Sequence, residues 1–215
     1  KRPMRVVITG FGAVSCLGIG LDAISSSLKN GNSGIGVDSE RVKKGFRSPL
    51  TGTLPPFNPR DYCSRKQIKT MGEPAQYALA AALEAGGQSG LTEEEWHSPR
   101  SGLVVGNDSC ALPAVEAIDS VTEHGETRFI GSGKIIQVMN STVTMNLSTF
   151  FGVQGASWTM AAACASGAHA LGQAYLLIRA GLQDRVLCGG AQELNWQSMA
   201  SFDAFGTCVQ PTGDA

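Results

Sequence analysis

The sequence predicts an α/β fold, with a sheet covered by helices on both faces, on three observations. Continuous apolar runs rich in β-formers recur along the chain, segments with apolar residues at helical spacing separate them, and glycines stand at the ends of the runs. The first run is Arg5 to Thr9, closed by Gly10-Phe11-Gly12, and reads as a buried strand entering a glycine turn. Leu21, Ile24 and Leu28 then fall on one helical face over 21–29, with Asn30-Gly31 as the stop. Residues 31–70 carry Gly, Pro, Ser and basic side chains without a sustained period, a long irregular stretch of the kind used for function or contact. A helix is predicted from Pro74 to Ala85, with proline in its first turn and Gly86-Gly87 at its end. Thr92 to Glu95 reads as an exposed helix start, Ser101 to Gly106 as a second buried strand, and 113–151 as mixed and mainly helical. A third strand is predicted over Ala156–Ala162 and a fourth over Arg185–Cys188, with a helix over 166–180 between them.

Composition excludes several classes. Charged residues make up only 16%, against roughly 25% in ordinary domains, which implies that much of the surface is covered by something. Seventeen basic and 18 acidic residues give a net charge of −1 with no block of either sign, so no nucleic-acid footprint is present. No run of 18 apolar residues suggests a membrane span, and the apolar stretch behind Lys1 to Arg5 is too short for a secretory leader. The six cysteines lie far apart with no C-x-x-C pair. That fits neither a zinc site nor a disulfide scaffold and points to a reducing cytosol.

The chemistry-bearing feature is Cys164 in Ala161-Ala162-Ala163-Cys164-Ala165-Ser166-Gly167, at a strand-to-helix junction. Free N–H groups and the helix dipole gather at such a helix start, favour thiolate over thiol, and stabilise an oxyanion nearby. Small neighbours leave room for a substrate, the arrangement expected of acyl transfer through a thioester. The competing reading is an ordinary buried cysteine, the commoner fate of the residue. The helix after it is apolar almost all round, which predicts that it is buried.

At these residues the chain resembles the elongating β-ketoacyl-[acyl carrier protein] synthases of the thiolase superfamily. The resemblance rests on five segments in family order: Val7 to Ser15, Gly31-Asn32-Ser33-Gly34-Ile35, Ala163 to Ala170, Gly189-Gly190-Ala191-Gln192-Glu193, and Phe202-Asp203-Ala204-Phe205-Gly206. It implies a thiolase-like αβαβα layered fold, of which residues 1–215 supply the N-terminal half, with the C-terminal half outside this chain. It also implies that Cys164 is the catalytic nucleophile, its own N–H one oxyanion donor, and that Phe202 and Met139 line the acyl pocket. For both of these the plain alternative of a core apolar residue stays open. The turn Gly106 to Ala111 falls where relatives tune chain length, and its polar residues depart from their glycine-rich versions. Glu193 reads as structural.

The implied reaction is a decarboxylative Claisen condensation of an acyl thioester with malonyl-acyl carrier protein, without cofactor or metal. Relatives are about twice as long and carry two histidines and a lysine in their second half. His169 reads as packing on its helix, and His97 and His124 as solvated surface, so none replaces the missing pair. Implied partners are an acyl carrier protein, a C-terminal ketosynthase half, and a twofold or hetero-oligomeric mate paired along Ala156–Ala162. The basic residues Lys43, Lys44, Arg47, Arg60, Arg65, Lys66 and Lys69 read first as a solvated loop and second as a receiver for an acidic carrier. Two alternatives remain: a non-catalytic ketosynthase-like subunit that shapes an interaction or chain length, and a polyketide or thiolase-type enzyme of other acyl specificity. A dinucleotide fingerprint at Gly10-Phe11-Gly12 fails for want of its third glycine, and Gly131-Ser132-Gly133-Lys134 lacks the spacing of a phosphate loop.

Overall fold

The computed structural model describes residues 5–208. A small antiparallel pair, β1 (Val14–Ser15) and β2 (Gly18–Ile19), leads into α1 (Leu21–Lys29). The segment predicted to lack regular structure holds a second antiparallel pair, β3 (Ile35–Val37) and β4 (Leu50–Gly52), bridged by α2 (Ser39–Lys43). A 3-10 turn at Pro59–Asp61 and α3 (Arg65–Ile68) complete that segment. Its elements are too short to show a period in sequence. The long α4 (Glu73–Ser89) is next, then α5 (Glu93–Trp96), opened by a reciprocal capping box between Thr92 and Glu95. Beyond these come β5 (Ser101–Gly106), α6 (Leu112–His124), α7 (Lys134–Gln137), α8 (Thr142–Phe151), β6 (Ser157–Met160), α9 (Ser166–Arg179), β7 (Arg185–Gly190) and α10 (Trp196–Phe205).

The main sheet is parallel in the order β6-β5-β7, with Gly106 opposite both Met160 and Gly190. Every residue of β5 is buried, as a continuous apolar run requires of a central strand. Alternation then sorts its side chains between two layers. Leu103 and Val105 pack with Val143 and Leu147 of α8 and with Ala75 and Leu79 of α4. Val104 faces the other way, onto Ala170 and Leu177 of α9. Each such aliphatic burial is worth roughly 1.5–3 kcal/mol, so the helix layers hold the sheet from both sides.

Four expectations need correction. Arg5 to Thr9 forms no strand, and Val7 and Ile8 are exposed. An extended segment becomes a strand only beside a partner, and among the described residues none pairs with it. Its glycines instead bring the backbone against α4, where a side chain at Gly10 or Gly12 would collide with the carbonyls of Ala85 and Ala81. Glu84 of α4 clamps the neighbouring β1–β2 hairpin at both ends, accepting from the N–H groups of Ala13 and Leu21. The α4 helix also runs through Gly86-Gly87 to Ser89 and ends at a left-handed Gly90. The ladder of β6 covers only Ser157–Met160, and that of β7 extends past Cys188 to Gly190. Finally, α9 is not buried all round. Ala170, Ala174 and Leu177 face the sheet, whereas Leu171, Tyr175 and Leu176 are exposed. No helix of the described residues is long and apolar enough to cross a membrane.

Candidate active site

Cys164 lies between the end of β6 and the first turn of α9, as its sequence position predicts, and of the six free thiols it alone is exposed. Within the described residues the thiol is therefore open and not part of a core. The turn that presents it is strained: Ala163 has φ 49, the only non-glycine residue with positive φ among those described, a conformation costing an L-residue roughly 1–2 kcal/mol. Ser166, the buried first residue of α9, braces it. Its hydroxyl donates to the Ala163 carbonyl at 2.6 Å and accepts from the Ala162 N–H at 2.8 Å. Backbone bonds from Ala165 N–H to Ala162 O and from Ser166 N–H to Ala163 O close the same turn.

The neighbouring strands press on this turn directly. A side chain at Gly106, the last residue of β5, would overlap the backbone of Ser166 and Gly167, and one at Gly190, the last of β7, would come 2.9 Å from Gly167 Cα. Both positions need glycine for close approach. Three connections thus meet at the carboxyl ends of the parallel strands: 107–111 after β5, 161–165 after β6, and 191–195 after β7. In an open α/β sheet that edge, where successive strands depart to opposite sides of β5, is where ligands bind.

The connection after β5 is fixed along its length. Asn107, fully buried, donates through Nδ2 to the Asn140 carbonyl at 2.8 Å, and Asn140 Nδ2 returns a bond to the Asp108 carbonyl at 3.0 Å. On the far side the buried carboxylate of Glu193 accepts from the Ser109 hydroxyl at 2.9 Å and from the N–H groups of Ala111 and Leu112. Glu193 thereby serves as the long-range cap of α6, whose own N-cap residue, Ala111, has no capping side chain. Asn195 links Glu193 to Glu73, donating from Nδ2 to both carboxylates at 3.0 Å each. Cys110, buried in this loop, has its thiol pushed up to about 12 by burial and by the carboxylates of Glu193 and Glu73. Buried and held as the thiol, it packs the loop.

Met139 precedes the Asn140 that ties this loop, and Phe202 lies on α10 beyond 191–195. Both are half exposed, and neither side chain belongs to a buried cluster of the described residues. His169 lies on the exposed side of α9 and not in the core; His97 and His124 are exposed as expected. Two cavities, of about 230 Å³ beside Met145 and about 430 Å³ beside Arg41, do not include Cys164. Among the described residues no three His, Cys, Asp or Glu side chains are arranged to hold a metal. Sequence reasoning overlooked Ser166 and Asp203 as positioning groups, and both carried a signal. A serine opens the helix, and an acid interrupts an apolar one.

A family model, Beta-ketoacyl synthase, N-terminal domain, matches residues 4–215. The 3-oxoacyl-[acyl-carrier-protein] synthase 1 of Haemophilus influenzae is 39% identical over 203 residues, which is 94% of this chain and 50% of the relative. The crystal structure of a β-ketoacyl synthase from Burkholderia phymatum STM815 superposes with a TM-score of 0.86 at 32% identity, over 96% of this chain and 51% of that one. A type II PKS acyl-carrier protein in complex with its ketosynthase bound to the hexaketide gives 0.83 at 25% identity, over 100% of this chain and 52% of that one. The chain spans about half the length of the curated relatives it matches.

Proposed function

The chain belongs to the β-ketoacyl synthase family, whose N-terminal domain it matches, and from that premise we propose that Cys164 is the nucleophile of a decarboxylative Claisen condensation in fatty-acid or polyketide chain elongation. The sulfur attacks the carbonyl of an acyl thioester and releases the carrier's thiol. A malonyl thioester then loses carbon dioxide, its carbanion attacks the acyl-cysteine, and the β-ketoacyl thioester leaves with the Cys164 thiolate regenerated. The single observation that carries the reading is the exposed Cys164 on a strained turn at the start of α9, beside the carboxyl ends of three parallel strands. The N–H of Cys164 serves as one oxyanion donor in this mechanism. Phe202 and Met139 are proposed as pocket residues.

The enolate of the malonyl step needs donors, and the thiol needs a basic partner. His97, His124 and His169 are all exposed and spread over separate elements or the outer side of α9. Those roles therefore go to a C-terminal half of the fold, as in relatives twice as long. Support comes from the apolar side chains left uncovered, among them Ile8, Phe11, Leu176, Leu182 and Phe205. The free edge of β6 supports pairing with a second subunit over Ala156–Ala162. The seven basic residues Lys43, Lys44, Arg47, Arg60, Arg65, Lys66 and Lys69 are all exposed, which supports docking of an acidic acyl carrier protein. Six free thiols support a reducing, cytoplasmic setting.

The test is mass spectrometry after exposure to an acyl-carrier protein thioester or an epoxide reagent of the cerulenin type. An adduct at Cys164, lost in Cys164→Ala together with condensation, is expected. Modification of Cys63 or Cys110 with Cys164 untouched would leave only a non-catalytic, interaction-shaping subunit.

A further inference from the structure

We propose that the cavity beside Arg41 is a binding site for a small monocarboxylate with an apolar or aromatic body. The cavity holds about 430 Å³ and lies between the β3–α2–β4 segment on one side and Tyr77 of α4 and Trp196 of α10 on the other. Cys164 is not part of it. Its size is that of a small-molecule pocket. Arg41, in its wall, is 5% exposed, and a charged side chain so buried needs its donors met. Nη1 donates to the Leu50 carbonyl at 2.8 Å. Nε has no hydrogen-bond partner, and Nη2 makes no hydrogen bond among the described residues. Asp38 supplies charge without a bond. Its Oδ1 caps α2 by accepting from the Glu40 N–H at 2.8 Å, while its Oδ2 stays 3.7 Å from Nε, beyond hydrogen-bond reach. A guanidinium takes a carboxylate with two parallel bonds along one edge. In Arg41 the Nη1 side is anchored to β4, and the Nε–Nη2 edge is left without an acceptor.

The rest of the lining suits the same ligand. Ser39, Thr51 and Thr53 contribute hydroxyls that make no hydrogen bond among the described residues, and Leu54, Leu194 and Trp196 contribute apolar surface. The wall is fixed before anything binds. Tyr77 donates its hydroxyl to Glu73 at 2.8 Å and sets its ring edge-on to Phe57 at 5.0 Å. Asn195 is engaged with Glu73, Glu193 and the Ser198 N–H. Lys44 Nζ stands 4.4 Å from the centre of the Trp196 ring, so a second cation flanks the cavity. Charge selects among oxyanions. Arg41 and Lys44 against Asp38 leave one net positive charge, which a monocarboxylate neutralises, whereas a doubly charged phosphate is repelled by the Asp38 carboxylate.

The experiment titrates the assembled, full-length enzyme with benzoate, with benzyl alcohol as the uncharged counterpart and with inorganic phosphate, by calorimetry and by tryptophan emission. Saturable binding of benzoate is expected, with benzyl alcohol and phosphate binding more weakly. Arg41→Lys keeps the charge and removes the fork, and is expected to weaken benzoate binding at least about tenfold, the effect of losing one charge-assisted bond. Trp196→Phe is expected to abolish the emission change while calorimetric binding persists. Should Arg41→Lys not fold, Thr51→Val removes a hydroxyl with the shape retained, and a weakening of at least about threefold is expected. No saturable benzoate binding, equal or tighter binding of either comparison compound, an emission change that survives Trp196→Phe, or unweakened binding in the deciding variant overturns the proposal. None of these outcomes needs Cys164 to react, so a failure of acyl transfer at Cys164 removes the proposed function and leaves this inference standing.

Discussion

Ser166 and Ala163 are joined twice over: the Ser166 hydroxyl donates to the Ala163 carbonyl, and the Ser166 N–H bonds to the same oxygen. Ala163 holds a left-handed backbone conformation between these bonds and the one from the Ala162 N–H to Ser166 Oγ. The strain of about 1–2 kcal/mol is of the same size as the net yield of the bonds that oppose it, about 0.5–1.5 kcal/mol each. The Ser166 hydroxyl therefore supplies two of the four bonds that hold the turn presenting Cys164.

Replacing Ser166 by alanine strips the Ala162 N–H of its side-chain partner and leaves the Ala163 carbonyl only the backbone bond from residue 166. The expected cost is about 1–3 kcal/mol, read as a lower midpoint in denaturant, together with slower acylation of Cys164. Unchanged stability and unchanged acylation would show that the turn holds itself.

Gly106→Ala places a methyl group inside the backbone of Ser166 and Gly167. Overpacking against backbone, which cannot rotate away, is expected to cost about 3 kcal/mol or more. Gly87→Ala is the matched control, because the exposed helical Gly87 has no atom within 4 Å of the added carbon. It is expected to gain about 0.5–1 kcal/mol. Thermal melts of the two variants in opposite directions check the prediction.

Alkylation distinguishes the thiols. Burial raises Cys63 and Cys188, and burial with the Glu193 and Glu73 carboxylates pushes Cys110 to about 12. Iodoacetamide at about pH 8 is expected to label Cys164 while Cys110 stays unlabelled until the chain is unfolded. Peptide mapping of a time course shows the order, and early labelling of Cys110 contradicts its burial in the loop after β5.

Asp203 gives the chain a defined acid sensitivity. Burial acts to raise its pKa, but the N–H groups of Arg47 and Ser48, at 2.8 and 2.9 Å, and the charges of Arg47 and Arg41 hold it below the ordinary value. A depressed carboxyl pKa contributes stability that is present above the unfolded-state value and is lost as the pH falls through the folded one. Asp203→Asn is expected to lower the melting temperature at neutral pH and to flatten its fall below about pH 4. An unaltered acid limb of the stability curve would assign that sensitivity elsewhere.

Much of the fold was legible in the sequence. The helix over 21–29 and the strand over 101–106 appear with the predicted bounds, and α9 begins two residues after Cys164. The misreadings have physical causes. Arg5 to Thr9 has the composition of a strand and lacks a partner, since composition does not supply a neighbour. Gly86-Gly87 stays helical because α4 continues under Trp96, whose ring lies 3.3 Å from where a Gly86 side chain would begin. The apolar circumference of α9 predicted burial, yet only the sheet-facing stripe is covered within these residues.

By itself, then, the sequence determined the succession of β5, β6, α9 and β7, the helix over 21–29 and the place of Cys164 at a strand-to-helix junction, because periodicity, glycine stops and helix starts are written within a few neighbouring residues. Only the tertiary structure decided that Glu193 grips the loop after β5, that Asp203 grips Arg47 and Ser48, and that Gly106 and Gly190 press on the turn of Cys164. Those relations join groups as far as 156 residues apart, and a hydrogen bond or a close backbone approach across such a separation leaves no periodic trace in the chain that forms it.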